Sequence, residues 1–367
     1  MTDAARGITP KKILTHRLAL PIGALLALVL VNTVARPSFL AITTRDGQLY
    51  GSLIDIIRNS APLMLVALGM MIVIATRGID LSVGALMAVS GAVSLTIIKA
   101  SPNPNGLGVI AVAILAGLLT TLLLGAWNGF LVSVLGIQPI IATLVLMLAG
   151  RGVAFLITQG NITTINSAPY QFMAQGYVLG LPFAFFVAIA AVIVVALVER
   201  RTALGMLTEA VGINPTASRI AGVRSRGIIW GAYAASGLLA GVAGVLYTSN
   251  IMAADANNAG VNIEVDAILA VVLGGASLMG GRFTIAGTVI GVYTIQTLTS
   301  TITFLGVPPA VTPVFKAAVI VIVCLAQSAR MRAWFRSLGS RRSGVVPNRL
   351  EPESTPALAG AAEGKTR

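Results

Sequence analysis

Two apolar runs without a charged residue, at 60–76 and 81–98, are separated only by Arg77-Gly78-Ile79-Asp80. A helix rises about 1.5 Å per residue, so roughly 20 apolar residues span the hydrocarbon core of a bilayer. The two runs therefore predict a membrane hairpin with ionisable groups at its bend. Such a hairpin indicates a protein that works in transport across a bilayer.

The composition favours a membrane protein over a water-soluble one. Hydrophobic residues make up 56% of the chain and charged residues 10%, whereas soluble domains carry about 25% charged residues. The 39 glycines follow no collagen-like period. The spacings Gly237-x-x-x-Gly241 and Gly287-x-x-x-Gly291 predict close helix packing, because small residues let two backbones approach each other in lipid.

Ten apolar segments are candidates for membrane-crossing helices. The stretch 106–150 would be about 67 Å long as one helix, twice the hydrocarbon thickness, so we expect a turn between Asn128 and Pro139. The segment 266–280 is short and contains Gly274-Gly275, which predicts a broken or partial span. The predicted fold class is an all-α integral membrane protein, a polytopic bundle of about ten transmembrane helices at 18–34, 60–76, 79–98, 106–125, 138–158, 178–198, 228–249, 266–280, 283–304 and 311–327.

Lysine and arginine are distributed unevenly between the two predicted sides of the membrane. The two tails and the loop 199–226 hold 17 of them, and the loops of the other side hold four. Basic loops stay in the cytoplasm, which predicts a multi-pass protein of the bacterial plasma (inner) membrane with both termini cytoplasmic. The N-terminal segment resembles a signal peptide, but we expect a retained anchor because cleavage would leave an odd number of spans.

The same pattern divides the chain into three parts. We expect a cytoplasmic tail at 1–17 and a transmembrane domain at 18–327, with a cytoplasmic loop at 199–226. The remainder, 328–367, is basic and rich in Pro, Ser, Ala and Gly, which predicts a largely disordered cytoplasmic tail.

The loop 212–222 has the signals of a short helix. Asn214 can cap its start, Pro215 suits its first position, and Gly222 can end it. A two-turn helix is not stable by itself in water, so we expect this one to dock on another surface. The alternative is that it lies against the bilayer or its own loops. Its apolar face would carry Ile213, Ala217, Ile220 and Ala221.

Several strings between about residues 50 and 325 resemble one family: the permease subunits of bacterial carbohydrate-type ATP-binding-cassette importers, such as ribose, xylose and galactofuranose permeases. Arg77 departs from the family pattern, in which a small uncharged residue is more usual. Segments 46–51 and 255–260 are most similar to galactofuranose-type permeases. The matching strings are 78–84, 126–129, 138–144, 150–152, 212–222, 266–275 and 280–282.

This resemblance implies that the chain forms the translocation pathway for a monosaccharide, galactofuranose-like in the nearest subgroup, as a non-catalytic subunit. It implies that the chain lies in the lipid bilayer and has three protein partners. These are an ATPase subunit, an extracytoplasmic sugar-binding protein, and a second permease chain, identical or different. It also implies that the loop 199–226 couples to the ATPase, through Glu209, Gly212, Asn214, Pro215, Arg219 and Gly222.

No phosphate-binding loop is present in the sequence, since the nearest string, 360–366, is one residue short and lies at the end of the tail. We therefore expect no cofactor in this chain, with ATP and Mg²⁺ bound by the partner ATPase. The lone Cys324 and the single His16 predict no metal site. The basic residues lie in tails and short loops, which argues against a nucleic-acid partner.

Ionisable groups in or beside the spans need a structural or functional reason, because a charge at a helix centre costs about 2.5–3.5 kcal/mol. Asp80 sits at a predicted inner bend, where it would cap the next helix and pair with Arg77 or an arginine across the bundle. Direct sugar contact is the alternative. Arg282 sits at a second bend, which suggests a weak parallel internal repeat. Arg151 is expected to face protein or a water-filled cavity.

Polar side chains inside the bundle are candidates for the pathway wall, because an unpaired amide or hydroxyl facing lipid is unfavourable. Each could instead form an interhelical hydrogen bond. These candidates are Ser82, Asn128, Gln138, Thr143, Asn250 and Gln296. A predicted outer loop holds acidic and amide groups that suit a basic receptor surface or simply face water: Asp255, Asn257, Asn258 and Glu264.

Other classes remain open at this point. A proton- or sodium-driven transporter would want an acidic residue at the membrane midplane, and none of the predicted span centres contains one. A membrane enzyme is disfavoured because the sequence has no histidine cluster and no evident nucleophile with a base. A scaffold would not need Asp80, Arg151 and Arg282 at unfavourable positions.

Overall fold

The computed structural model describes residues 18–306, 308 and 311–327, and most of them are helical. The predictions for the tails 1–17 and 328–367 lie outside the described residues. The described α-helices are α1 (Ala19–Ala35), α2 (Ser52–Ala75), α3 (Val83–Ala100), α4 (Leu107–Ser133), α5 (Pro139–Ile157), α6 (Ala168–Gln175), α7 (Phe183–Arg201), α8 (Ala203–Ile213), α9 (Pro215–Ile220), α10 (Ser225–Ile251), α11 (Ile263–Leu273), α12 (Ile285–Phe304) and α13 (Thr312–Gln327).

The remaining regular structure is short. A 3-10 helix covers Pro37–Leu40. Three antiparallel pairs join β1 (Thr43–Arg45) to β2 (Gln48–Tyr50), β3 (Thr163–Thr164) to β6 (Ala253–Ala254), and β4 (Tyr177–Val178) to β5 (Leu181–Pro182).

Seven of the described helices are long and apolar enough to cross a membrane: α2, α3, α4, α5, α7, α10 and α12. Each of the ten predicted segments contains a helix, so the all-α polytopic fold is confirmed. The predicted turn lies between Ser133 and Pro139. The segment predicted to be broken forms α11 only as far as Leu273, and Gly275 then turns the chain with φ +89°.

α10 lies at the centre of the bundle and packs against α2, α3 and α4. Close approach to α4 depends on glycine, since a Cβ added at Gly237 would lie 2.8 Å from the Cα of Gly125. The two glycine spacings therefore serve helix packing, as predicted. α2 is almost fully buried among its neighbours, whereas α4, α5 and α7 expose apolar faces that suit contact with lipid.

The bundle has two ends that can be told apart by their connections. α8 and α9 lie at one end with the bends 76–82 and 274–284, where the amide of Gly281 donates to the carbonyl of Ala75 at 3.0 Å. We call this the 203–222 end. At the opposite end the amide of Leu49 donates to Gly180, and the Ser167 hydroxyl donates to Pro104.

Two irregular segments enter the bundle from opposite ends and meet inside it. Residues 76–82 lead from the 203–222 end to the start of α3, and residues 252–262 lead from the opposite end to the start of α11. The first turn of α3 meets the second segment at Gly84 and Gly260, where a Cβ on Gly260 would lie 2.6 Å from the carbonyl oxygen of Gly84. Two helices therefore begin inside the bundle, and non-helical backbone is tolerated there because protein surrounds it.

Candidate functional site

Asp80 is the centre of a buried polar cluster. Its Oδ1 accepts hydrogen bonds from the amide of Ser82 at 3.1 Å and from the Ser82 hydroxyl at 2.6 Å, and its Oδ2 accepts from the Ser236 hydroxyl at 2.8 Å. The Asn128 amide Nδ2 donates to Ser82 Oγ at 3.0 Å. All four side chains are 0% exposed, and we call them the Asp80 cluster.

The Asp80 cluster lies deeper than the sequence suggested. Ser236 is the twelfth residue of α10, so it sits about 17 Å along a helix that is about 40 Å long. The sequence indicated a bend at one end of the bundle, whereas the chain enters the bundle before α3 begins and carries Asp80 inside it. Asp80 binds the amide of Ser82 ahead of α3 rather than capping the helix, and its partners are hydroxyl and amide groups instead of an arginine.

Arg77 points away from Asp80, toward the 203–222 end. Its Nε donates to the carbonyl of Met279 at 3.0 Å, and its Nη2 donates to the carbonyl of Ile213. Ile213 is the last residue of α8, and Met279 lies in the second bend. Arg77 therefore joins both of these segments to the chain that leads to Asp80. Its φ of +67° is unusual for a residue with a side chain, so the turn is held by its surroundings.

The short helix α9 forms with the predicted caps. The Asn214 side chain accepts from the amide of Ala217 at 3.0 Å, and Pro215 is the first helical residue. At the other end Gly222 has φ +85°, its amide donates to Arg219, and the amide of Val223 donates to Ser218. This pair of bonds is a Schellman motif, which satisfies the last carbonyls of the helix.

The predicted apolar face of α9 is not covered by this chain. Ile213 is 61% exposed and Ile220 is 83% exposed, and Met206 on α8 is also exposed. Beneath this surface, the backbone of α8 packs closely against the end of α2 and the second bend. A Cβ at Gly212 would clash with the carbonyl of Ala75 and the backbone of Gly281. Among the predicted coupling residues, Glu209, Arg219 and Gly222 are exposed and Gly212 is buried.

Arg151 and Thr143 on α5 hold the two irregular segments. Arg151 Nη1 donates to the carbonyls of Ala256 at 2.9 Å and Ala259 at 2.5 Å, so this side chain faces protein, as predicted. Thr143 Oγ1 is buried and donates to the carbonyls of Pro139 at 2.9 Å and Ile79 at 3.3 Å. Thr143 thus forms interhelical and intrahelical hydrogen bonds, the alternative to a pathway role.

The predicted receptor loop is only partly at the surface. Asn257 and Asn258 are exposed, but Glu264 is half-buried and its carboxylate would lie 2.9 Å from a Cβ at Gly84. Placing Glu264 on an outer surface is therefore wrong. Asp255 accepts from the Asn258 side chain and from the amides of Asn257 and Asn258, and these bonds, with the charge of Arg151, hold the pKa of Asp255 below its usual range.

The remaining pathway candidates are dispersed. Gln138 is exposed just before α5, and Gln296 is half-buried on α12. Asn250 accepts through its backbone carbonyl from Gln175. Arg282, a bundle or pathway candidate, is exposed at the second bend, where the sequence placed it.

Two features were missed by the sequence reasoning. Ser236 contacts Asp80 although the two lie 156 positions apart in sequence, and its only signal is a hydroxyl in an apolar run. Lys316 forms an ion pair with Asp266 at 2.7 Å, beside a cavity of about 340 Å³ that Asn262 and Thr312 also line. Opposite charges in two apolar segments, 266–280 and 311–327, were the available signal for that pair.

Comparisons with known proteins agree with one another. The sequence profile of the family described as branched-chain amino acid transport system / permease component matches residues 52–324. The galactofuranose transporter permease protein YtfT of Escherichia coli K12 is 45% identical over 334 residues, which cover 91% of this chain and 96% of that protein. The fructose import permease protein FruF of Bifidobacterium longum is 41% identical over 91% of this chain and 94% of its own length.

More distant relatives extend this pattern. The ribose import permease protein RbsC of Bacillus subtilis is 36% identical over 83% of this chain and 91% of its own length. No solved structure gives a significant match.

Proposed function

This chain belongs to the family of permease components of branched-chain amino acid transport systems, and we propose that it is the membrane-spanning subunit of an ATP-driven importer for a monosaccharide. The names of three relatives specify galactofuranose, fructose and ribose, which supports a monosaccharide as the substrate class. Galactofuranose is the first candidate because the relative that carries its name is 45% identical.

The observation that carries the coupling role is the uncovered apolar face of α9. A six-residue helix with both ends capped is preorganised, yet Ile220 on its apolar face is 83% exposed. A cleft on a separate ATPase subunit would bury this face. Gly212 and Arg77 would then pass its movement to the bends 274–284 and 76–82.

This arrangement suggests a separate role for each subunit of the importer. We expect ATP and Mg²⁺ on the ATPase and no catalysis by this chain. A sugar-binding protein would dock at the opposite end, near Asn257 and Asn258, and a second permease chain would complete the pathway. The basic-residue bias supports a plasma-membrane orientation in which the 203–222 end and both termini are cytoplasmic.

Reconstitution tests the proposed function. The chain is co-expressed with an ATPase subunit and a sugar-binding protein of this importer class, and the complex is placed in nanodiscs. We expect ATP hydrolysis to rise when the binding protein carries its sugar. Sugar uptake by this chain alone, driven by an ion gradient in proteoliposomes, would contradict the proposal.

The orientation has its own test in a Cys324→Ser background. An impermeant thiol reagent added outside intact cells should label Asn257→Cys rapidly and Arg226→Cys only after the cells are opened. Both positions are exposed in the structure, so accessibility within the fold is matched. The reverse labelling pattern would overturn the topology.

A further inference from the structure

The cavity of about 340 Å³ beside Lys316 lies between the first turns of α11 and α13. α11 begins at Ile263, after the segment 252–262 that enters the bundle from the opposite end. α12 runs from the second bend for 20 residues, about 30 Å, so α13 also starts at the opposite end. The cavity is therefore nearer to the end where the sugar-binding protein is proposed to dock.

An ion pair forms part of the lining of this cavity. Lys316 Nζ donates to Asp266 Oδ2 at 2.7 Å, and the two side chains are 17% and 20% exposed. Both residues lie in apolar segments, where ionisable groups are unfavourable and often mark a substrate pathway. The one other ion pair among the described residues joins Arg58 to Asp55 within a single helix. The pair in the cavity instead joins two helices.

Both charged groups keep capacity for further hydrogen bonds. A carboxylate offers about four acceptor positions and an ammonium group offers three donors. Within the part of the chain that the structure describes, the side chains of Asp266 and Lys316 form only the bond to each other. The amide of Asn262 and the hydroxyl of Thr312 add further donors and acceptors to the lining. The cavity can therefore donate and accept several hydrogen bonds at once.

The rest of the lining is aliphatic, so the cavity suits a ligand that is polar and apolar at once. A monosaccharide has hydroxyl groups around its edge and C–H groups on its ring faces. The volume lies within the range of small-molecule sites, roughly 300–1,000 Å³. The ion pair has no net charge, which suits a neutral ligand. The aliphatic residues are Val261, Val265, Leu269, Pro313 and Ala317.

We propose that this cavity is a low-affinity monosaccharide site on the translocation pathway, in which Asp266 accepts from sugar hydroxyls and Lys316 donates to them. The inference rests on the proposed import function and names the residues that contact the sugar. Hydrogen bonds to charged groups are strong enough to orient the sugar. The bond between Asp266 and Lys316 competes with those to the sugar, which keeps the affinity low and allows release.

The direct test uses the full-length chain in nanodiscs, without ATPase or binding protein. In a Cys324→Ser background, Thr312→Cys places a thiol in the lining of the cavity. Methyl galactofuranoside, fructose and ribose are tested as ligands against labelling by a small thiol reagent. At least one should slow labelling saturably, by about threefold at twice its Kd. Asn257→Cys, exposed at the same end and outside the cavity lining, should be labelled at an unchanged rate.

Variants of the ion pair separate a sugar contact from a structural role. Asp266→Asn and Lys316→Met remove the charges and keep most of the side-chain volume, and each should raise the Kd for the protecting sugar by about tenfold. The double variant leaves no unpaired charge, so it preserves the test if a single variant does not fold. Asp55→Asn is the matched control, because it breaks the ion pair with Arg58 outside the cavity and should leave protection unchanged.

The complete importer separates failure of this site from failure of the import function. The double variant should retain stimulation of ATP hydrolysis by the sugar-loaded binding protein but transport less sugar for each ATP hydrolysed. Absence of protection by all three sugars in folded Thr312→Cys chain would overturn the site, even where the wild type shows stimulation. Unchanged protection in the folded double variant would also overturn it. Disulfide formation between two Thr312→Cys chains, without protection by sugar, would assign the cavity to a contact between copies.

Discussion

Each of the two bends at the 203–222 end carries an ionisable residue two positions before a hydroxyl residue that precedes a helix, but the two ionisable residues differ in burial. In the first bend, 76–82, the polar residue Asp80 is 0% exposed and accepts hydrogen bonds from Ser82 before α3 and from Ser236 of α10. In the second, 274–284, Arg282 is exposed, and the polar residue that matters is Thr284, whose Oγ1 accepts from the amide of Gly287 at 3.2 Å to cap α12. One bend is part of the core, and the other is a surface connection with a helix cap.

The two bends are nevertheless joined to each other. The amide of Gly281 donates to Ala75, and Arg77 donates to Met279 as well as to Ile213 at the end of α8. A displacement of α8 and α9 would therefore reach the surface bend and the buried bend through the same contacts. This difference in burial, combined with shared contacts, predicts unequal effects of matched substitutions.

The largest difference is expected between Asp80→Leu and Arg282→Leu. Leucine at 80 leaves three buried donors without their acceptor, which should lower the free energy of unfolding by about 3 kcal/mol or more. Leucine at 282 changes an exposed side chain and should cost less than about 0.5 kcal/mol. The yield of folded protein in detergent and its Tm measure the effect of each substitution. Wild-type yield of Asp80→Leu with abolished transport would assign Asp80 to the sugar pathway instead.

A smaller effect is expected for Arg77→Ala, which removes the contact between the bends. Loss of two charge-assisted hydrogen bonds at an exposed position should cost about 2 kcal/mol. In the reconstituted importer, sugar-stimulated ATP hydrolysis should fall while basal hydrolysis stays unchanged. Arg77→Lys should recover part of the stimulation, because one ammonium can reach only one of the two carbonyls well. Full stimulation in Arg77→Ala would mean that the bends are not coupled through this residue.

The smallest effect is expected for the cap of the surface bend. Thr284→Ala should reduce stability by about 1 kcal/mol, since the amide of Gly287 loses its acceptor. Thr284→Ser retains the oxygen and should behave like the wild type. A loss as large as that of Asp80→Leu would show that both bends serve the core equally.

Local features were readable from the sequence, and long-range ones were not. The ends of α9 were predictable because Asn214, Pro215 and Gly222 act within a few residues of themselves. The ten helices followed from hydropathy and length. The depth of Asp80 did not, because Ser236 lies 156 positions away and hydropathy does not tell a bend at the surface from one inside a bundle. Hydropathy likewise does not indicate whether Arg282 is buried or exposed, because it also lies at a bend two positions before a hydroxyl residue.

The central claim is that α9 is the docking element for the ATPase. The double variant Asn214→Val, Gly222→Val removes both caps, which costs on the order of 1 kcal/mol or more for the N-cap alone in a helix with little stability of its own. It changes no membrane-crossing helix, so insertion should be normal. ATPase retention on purification, measured together with sugar-stimulated hydrolysis, should fall in parallel. Unchanged retention and unchanged stimulation would contradict the claim and leave 212–222 as an ordinary surface loop.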